Sequence, residues 1–179
     1  MHILIAGGGG QLGHCLSEYC EKNSITYTTF KRSDFDISNL PQIKEIATKV
    51  KPSLIINAAA YTLVDAAETN IDLAFQINEI GPHNLAIVCN DLGIPLIHVS
   101  TDYVFDGNSA EPYMPNNPVN PINEYGKSKL AGEQAIERLS KNYFIIRTSC
   151  VFSEYGKNFF KTILSLLQSE EQLTIISNQ

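Results

Sequence analysis

The stretch "LIAGGGGQLGH", residues 4–14, places four consecutive glycines directly after a short apolar run. Gly7, Gly10 and Gly13 recur at every third position, between a predicted strand and a helix that we predict from about residue 11. Glycines in such a turn permit a tight bend, a close approach of backbone N–H groups to a pyrophosphate, and close packing of helix on strand. The spacing therefore predicts a dinucleotide site, with an ordinary glycine-rich turn as the alternative. We assign no role beyond flexibility to Gly8 and Gly9.

Apolar runs and helical periodicity alternate along the rest of the chain. We predict strands at 2–6, 25–30, 53–57, 95–100, 143–148 and 173–177, and helices at about 11–22, 39–50, 70–92, 125–141 and 156–168. The runs "SLIIN" and "FIIRT" show little alternation, which is typical of strands covered on both faces. The pattern predicts an α/β fold: a doubly wound parallel sheet, Rossmann-like, with residues 1–179 as one NAD(P)-binding domain.

A turn-rich segment, residues 102–124, interrupts this alternation with four prolines and five asparagines. Loops of this length within a compact domain are usually functional. The last residues, "LTIISNQ", lack a closing element after the predicted strand, so we expect the chain to be the N-terminal part of a longer protein.

Composition and charge narrow the function classes. Thirteen Lys and Arg against nineteen Asp and Glu give a formal charge of −6, which disfavours nucleic acid and anionic membranes as partners. The apolar runs are much shorter than the roughly 20 residues of a membrane span, and no signal-like segment opens the chain, so we predict a cytoplasmic protein. The four cysteines show no paired or metal-ligand spacing, which predicts reduced, mostly buried thiols and no metal site.

The end of the second predicted strand, "TTFKRSDFD", bears on the choice of nicotinamide cofactor. A cation at this position suits the 2′-phosphate of NADP, whereas an acid suits the ribose of NAD. Lys31 and Arg32 come first and Asp34 and Asp36 follow. We therefore favour NADP(H) or tolerance of NAD(H) as well, with solvated surface residues as the alternative.

The candidate chemistry lies in "NEYGKSKLAGE" and "HVSTDYVFDG". Tyr125 and Lys129 are four residues apart on a predicted helix, so their side chains lie on one face. The ammonium of Lys129 would lower the pKa of the Tyr125 phenol. The phenol could then exchange a proton with a carbonyl or alcohol oxygen. The strand before them brings Ser100 and Thr101 to the carboxyl edge of the sheet, where a hydroxyl can bind the reacting oxygen. The structural alternatives are an ordinary surface pair of Tyr125 and Lys129, and a hydroxyl that caps the strand end.

Two further features accompany these motifs. Three alanines at 58–60 end a strand with side chains small enough for a cofactor to lie against the backbone, although tight packing would also explain them. Asn78 lies on the apolar stripe of the long predicted helix. A buried amide there needs partners, so it either braces a neighbouring strand or holds a water near the lysine.

Taken in order, these motifs resemble the extended branch of the short-chain dehydrogenase/reductase superfamily and, within it, the dTDP-4-dehydrorhamnose reductases. The resemblance rests on "GGGGQLG", "DFDISN", "KPSLIINAAAYTLVDAAE", "HVSTDYVFDG", "PINEYGKSKLAGE", "IIRTS" and "NFFKTIL", which span nearly the whole chain. It implies that Thr101, Tyr125 and Lys129 form a catalytic trio. The cofactor-binding positions it implies are Gly7, Gly10, Gln11, Leu12, Gly13, Asp36, Ile37, Ala58, Ala59, Ala60, Tyr125 and Lys129. The charge pattern at the end of the second predicted strand adds Arg32.

The resemblance further implies reduction of the 4-keto group of dTDP-4-dehydro-L-rhamnose, or of a related nucleotide sugar, by NAD(P)H. Members of this family typically carry tryptophan where this chain has Cys150, and continue into a substrate domain, so we expect this chain alone to bind NADP(H) and to turn over poorly. A homodimer is a further expectation that the sequence leaves open.

The sequence is also compatible with two other functions. One is a different nucleotide-sugar reductase, epimerase or dehydratase with the same trio, although Tyr103 after Asp102 disfavours a dehydratase. The other is a non-catalytic NADP-binding regulatory subunit that resembles the β subunit of methionine adenosyltransferase.

Overall fold

A computed structural model describes residues 1–169, and the predicted strand at 173–177 lies outside this range. Five parallel strands form one sheet in the order β2-β1-β3-β4-β5. The strands are β1 (His2–Ala6), β2 (Thr26–Phe30), β3 (Leu54–Asn57), β4 (Leu96–Thr101) and β5 (Tyr143–Thr148). The predicted doubly wound, Rossmann-like α/β fold is confirmed.

Within residues 1–169, seven α-helices connect or follow the strands. They are α1 (Gln11–Lys22), α2 (Leu40–Val50), α3 (Val64–Ala67), α4 (Ile71–Phe75), α5 (Gly81–Leu92), α6 (Glu124–Leu139) and α7 (Phe159–Leu166). The short α3 was not predicted, since four residues are too few to show a helical period. Along this described part of the chain, no helix is long and apolar enough to cross a membrane, and no group of His, Cys, Asp or Glu could hold a metal ion.

The central strands are buried on both faces because helices pack on each side. Leu4 and Ile55 belong to one apolar cluster, with residues of α2 and α5, while Ile3, Ile5 and Ile56 belong to a second, with Cys20 of α1. The edge strand β5 differs: Phe144 is 62% exposed and Ile146 is 48% exposed. The prediction that "FIIRT" is covered on both faces is therefore wrong within the described structure.

The long helix predicted at 70–92 changes its hydrogen-bonding pattern part of the way along. A π-helical turn, Gln76–Ile80, joins α4 to α5. Pro82 follows this turn and has no N–H to donate to the carbonyl of Asn78, so the regular ladder cannot continue there. The same carbonyl lies against Gly132 of α6, where any Cβ would collide with it. The local irregularity thus lets α6 pack very close to this turn.

The long loop between β4 and α6 is held by its own side chains. The Asp106 carboxylate accepts hydrogen bonds from the Tyr113 hydroxyl at 2.7 Å and from the Asn120 amide at 3.2 Å, and Tyr113 stacks on Phe105. These bonds lower the pKa of Asp106 to about 2. Arg147 of β5 lies over the Phe105 ring and fixes the loop to the sheet.

Candidate functional site

The turn after β1 has the geometry that the glycine spacing predicts. Gly7 has φ +83°, and a Cβ built on it would lie 2.5 Å from the Ala59 nitrogen. Gly10 is the N-cap of α1 and has no side chain to bond the first amides of the helix. The helix N-terminus therefore presents N–H groups without intrahelical partners, which is the arrangement that binds anions.

Gly8 and Gly13 have steric roles that the sequence did not show. A Cβ on Gly8 would collide with the Thr29 side chain of β2, and the Gly8 amide donates to the Phe30 carbonyl at 2.9 Å. The expectation that Gly8 only adds flexibility is thus wrong, because this residue joins the turn to β2. Gly13 lies buried against the backbone of Gly7 and Gly8.

Two adjoining cavities open along the carboxyl edge of the sheet, of about 630 Å³ and about 510 Å³. Both are lined by Gly9, Gly10, Ala58 and Ala60, so together they form one crevice. Every predicted site residue lines one of these cavities except Gly13, which packs against the backbone of the glycine turn. The predicted residues in the first cavity include Gly7, Arg32, Asp36, Ile37 and Ala59; those in the second are Gln11, Leu12, Thr101, Tyr125 and Lys129.

The first cavity carries positive charge at the end of β2. Lys31 and Arg32 are exposed and line it. Asp34 is not among the lining residues, and the Asp36 carboxylate accepts from the Ser38 amide and hydroxyl at 2.9 and 2.8 Å. Lys31 and Arg32 are therefore the charged side chains at the end of β2 that are available to an anionic ligand.

The second cavity brings Thr101 and Tyr125 together. Asn123 caps α6 by accepting from the Gly126 amide at 2.7 Å, which places Tyr125 in the first turn. Burial raises the pKa of the phenol, Thr101 acts to lower it, and Asp102 and Tyr103 act to raise it. The expected lowering of the Tyr125 pKa by Lys129 is therefore not found, because Lys129 directs its amine elsewhere.

Lys129 is almost completely buried, with 1% of its surface exposed. Its Nζ donates to the Val99 carbonyl at 2.7 Å and lies 3.5 Å from the Nε2 of His98. Burial lowers its pKa to about 8, a change that the charge of Glu133 opposes. A lysine in this state can exchange its proton near neutral pH.

Asn78 joins the site to its supporting helices. Its side-chain oxygen accepts from the Tyr61 amide at 2.8 Å, and its side-chain nitrogen donates to the Tyr61 carbonyl and to the Ser128 hydroxyl, each at 3.0 Å. Asn78 therefore has a bracing role, but it braces the segment after β3 and not a strand as predicted. The Tyr61 backbone directly follows the alanine segment, so Asn78 fixes that segment relative to α6.

The segment after β5 also contributes to the site, which was not predicted. The Asn158 amide donates to the Gln11 side chain at 2.9 Å, and Tyr155 stacks on His14 and donates to Glu18 at 3.1 Å. Lys157 and Asn158 line the second cavity, as does Thr62. No local sequence pattern indicates these contacts, since they join residues about 140 positions apart.

Cys150 is exposed, and so the expectation of buried thiols holds for Cys20 and Cys89 only, with Cys15 partly exposed. Cys150 lines a further apolar cavity of about 280 Å³ together with Phe152 and Phe160, and this cavity shares Val151 with the second one.

Comparisons with known proteins agree with this geometry. A family model described as the RmlD substrate binding domain matches residues 1–179. The dTDP-4-dehydrorhamnose reductase of Aggregatibacter actinomycetemcomitans is 40% identical over 178 residues, which are 99% of this chain and 60% of that protein.

Solved structures show the same similarity. The dTDP-4-dehydrorhamnose reductase from Bacillus anthracis, solved in complex with NADP, matches with a TM-score of 0.93 and 41% identity over 96% of this chain and 61% of its own. The ortholog from Clostridium acetobutylicum matches with a TM-score of 0.96 and 38% identity over 100% of this chain and 64% of its own. The chain thus spans about 60% of the length of these relatives.

Proposed function

Because this chain belongs to the RmlD substrate binding domain family, we propose that the protein containing it is a dTDP-4-dehydrorhamnose reductase. It reduces the 4-keto group of dTDP-4-dehydro-L-rhamnose to the alcohol of dTDP-L-rhamnose, with NADPH as the reductant. Residues 1–179 supply the cofactor domain and the trio Thr101, Tyr125 and Lys129. The observation that carries the proposal is the single crevice in which the glycine turn and this trio meet.

The crevice fits a dinucleotide on its own geometry. The bare backbone at Gly7 and Gly10 and the uncapped start of α1 suit a pyrophosphate, which binds to N–H groups and to the positive end of the helix dipole. Gln11 and Leu12 would contribute these amides. Ala58, Ala59 and Ala60 form the opposite wall without bulky side chains.

NADP(H) is the better fit of the two nicotinamide cofactors, because Lys31 and Arg32 can pair with a 2′-phosphate at the end of β2. The similarity to a reductase solved with NADP supports this choice. Asp36 and Ile37 then lie on the adenine side of the site. NAD(H) lacks the phosphate and would bind more weakly.

When bound, NADPH supplies the hydride that reduces C4 of the sugar. The raised pKa of Tyr125 keeps the phenol protonated at neutral pH, which is the form that can donate a proton to the developing alkoxide. The Thr101 hydroxyl, at the end of β4, binds the same oxygen and holds it beside the phenol. Lys129 lies one turn further along α6, and its pKa of about 8 lets it hold or release a proton at the floor of the same cavity near neutral pH.

The experiment is turnover by the complete protein. With dTDP-4-dehydro-L-rhamnose and NADPH, we expect one NADPH oxidised for each dTDP-L-rhamnose formed, and a lower kcat/KM with NADH. An NADP-binding regulatory subunit would bind the cofactor without consuming it in the presence of the sugar. The cytoplasmic location and the homodimer stay predictions.

A further inference from the structure

A chain of buried polar side chains leads from the alanine segment to Lys129, and the proposed mechanism does not use it. Asn57 is the last residue of β3, and His98 is its neighbour in register on β4. Asn57 and His98 are 0% exposed and Lys129 is 1% exposed. Polar groups buried this deeply must satisfy one another, so the donor and acceptor roles along the chain can be worked out.

The orientation of the Asn57 amide is set from the alanine side. The Ala59 N–H donates to an Asn57 side-chain atom at 3.1 Å, and that atom must be the oxygen, because a backbone N–H cannot accept. The Asn57 nitrogen therefore faces the Nδ1 of His98, 3.0 Å away. Since this nitrogen only donates, Nδ1 of His98 must be the acceptor.

The tautomer of His98 follows from this. Burial holds the pKa of His98 well below its ordinary value, with a further contribution from Lys129, so the ring is neutral. A neutral imidazole that accepts at Nδ1 carries its proton on Nε2. Nε2 is the ring atom that lies 3.5 Å from the Nζ of Lys129.

An ammonium group would therefore face an N–H, whereas an amine can accept from it. We propose that His98 is a positioning residue that holds Lys129 toward its uncharged amine by presenting an N–H, rather than a lone pair, to Nζ. The Val99 carbonyl accepts from Nζ in either form. The importance of this control for reduction rests on the proposed function, in which Lys129 is catalytic.

The other charged groups near Lys129 do not produce the same effect. Glu133, one turn along α6, favours the ammonium form, and Arg147 of β5 is paired with that carboxylate. Tyr125 on the same helix is neutral, and Asp102 acts on Tyr125. His98 is thus the polar side chain in contact with Nζ that opposes a charge there.

The arrangement also connects Lys129 to the wall of the cofactor crevice. For His98 to offer a lone pair to Lys129, Nδ1 must carry the proton, and Asn57 must then present its oxygen to the ring. That rotation breaks the bond from Ala59, a residue that lines the first cavity. Charging of Lys129 and the position of the alanine segment are therefore coupled.

The test is nitrogen NMR of the complete protein with isotope-labelled histidine, with the His98 signals assigned from the H98Q variant. We expect Nε2 to be protonated and Nδ1 to be unprotonated in the unsubstituted protein. A protonated Nδ1 would overturn the proposal, and this readout needs no altered protein to fold beyond the one used for assignment.

The Asn57→Asp variant then reverses the tautomer. Its carboxylate can still accept from Ala59 but can no longer donate to His98, so Nδ1 should become protonated and Nε2 should accept from Lys129. Side-chain NMR of Lys129 should then show a higher pKa than in the unsubstituted protein, while burial still keeps that pKa below its ordinary value. An unchanged Lys129 titration despite a reversed tautomer would contradict the role of His98.

Asn84→Asp is the matched control, since Asn84 is buried but donates to the Ile37 carbonyl and does not touch His98. Asn84→Asp should leave the His98 tautomer and the Lys129 titration unchanged. If it raises the pKa of Lys129 as much as Asn57→Asp does, any buried carboxylate suffices and the proposal is overturned. These readouts do not require turnover. Absence of reductase activity with the expected NMR result would contradict the proposed function alone.

Discussion

Gly7 is the residue on which the turn after β1 depends most directly. It combines φ +83° with a position where a Cβ would reach 2.5 Å from the Ala59 backbone. We expect Gly7→Ala to lower the free energy of unfolding by about 1–3 kcal/mol, because both the backbone and the contact become strained. Urea unfolding measures this loss, and calorimetric titration should show weaker NADPH binding.

Gly93 provides the control for this substitution. It also has a positive φ, +66°, but a Cβ there would meet nothing within 4 Å. Gly93→Ala should therefore show the backbone strain alone and leave NADPH binding unchanged. Equal NADPH affinity in Gly7→Ala and the unsubstituted protein would mean that the turn does not hold the cofactor.

Burial of Lys129 predicts a particular pH dependence of stability. With a folded pKa of about 8 and an ordinary value of 10.5, the folded protein binds fewer protons than the unfolded chain between these two pH values. Stability therefore rises with pH across this window, by about 3 kcal/mol in total and at most about 1.4 kcal/mol per pH unit. Lys129→Met lacks this contribution, so the difference in unfolding free energy between the two proteins should change in this window.

Urea unfolding from pH 7 to 11 checks the prediction. Tyrosines and the other lysines titrate in both proteins and cancel in the difference. A difference that is constant from pH 8 to pH 10.5 would show that Lys129 has an ordinary pKa.

At the scale of elements, α6 and β5 are joined by a buried ion pair. Arg147 Nη2 donates to the Glu133 carboxylate at 2.6 Å, and the side chain of Glu133 is only 2% exposed. The same guanidinium donates to the Pro115 carbonyl at 3.0 Å, so the pair also holds the long loop. Removing Glu133 leaves a cation without its partner in a partly buried position.

We expect Glu133→Ala to lower the free energy of unfolding by roughly 3–5 kcal/mol. The comparison is Glu45→Ala, which removes an exposed pair with Lys49 and should cost less than about 1 kcal/mol. Urea unfolding of both variants gives the measurement. Equal effects at the two positions would show that the Glu133 pair is no stronger than a surface one.

The elements that the sequence predicted well are those whose signal is local. All five described strands and the helices α1, α2, α6 and α7 lie within a few residues of their predicted positions, because an apolar run or a helical period identifies each of them. The helix predicted at 70–92 corresponds to α4, the π-helical turn and α5 taken together. The π-helical turn was not predicted, although Pro82 provides a signal for it. The exposure of Phe144 on β5 was missed because strand order, and hence which strand lies at the edge, is a tertiary property.

The functional site likewise combines features that the sequence predicts with features that depend on the fold. The glycine turn and the Tyr125–Lys129 spacing are local and could be predicted as candidates. The contact of His98 with Lys129, and the role of Gly8 against Thr29, join separate strands and helices and therefore needed the fold. The raised pKa of Tyr125 likewise depends on burial, which spacing along a helix does not determine.

At the scale of the whole molecule, the strand order places the crevice. From β1 the chain crosses to β2 on one side of it, and it later returns to place β3 on the other side. The connections that follow β1 and β3 therefore lead in opposite directions and leave a gap at the carboxyl edge of the sheet. Open α/β sheets bind ligands in such a gap. The glycine turn after β1 and the alanine segment after β3 form its walls, and β4 and α6 bring Thr101 and Tyr125 to its end.

The measurement that tests the central claim most directly is NADPH-dependent reduction of dTDP-4-dehydro-L-rhamnose by the complete protein and by its Tyr125→Phe variant. If Tyr125 donates the proton, kcat should fall by about 100-fold or more while NADPH affinity is kept. An unsubstituted protein that fails to reduce the sugar, or a Tyr125→Phe variant that reduces it at the same rate, would contradict the account.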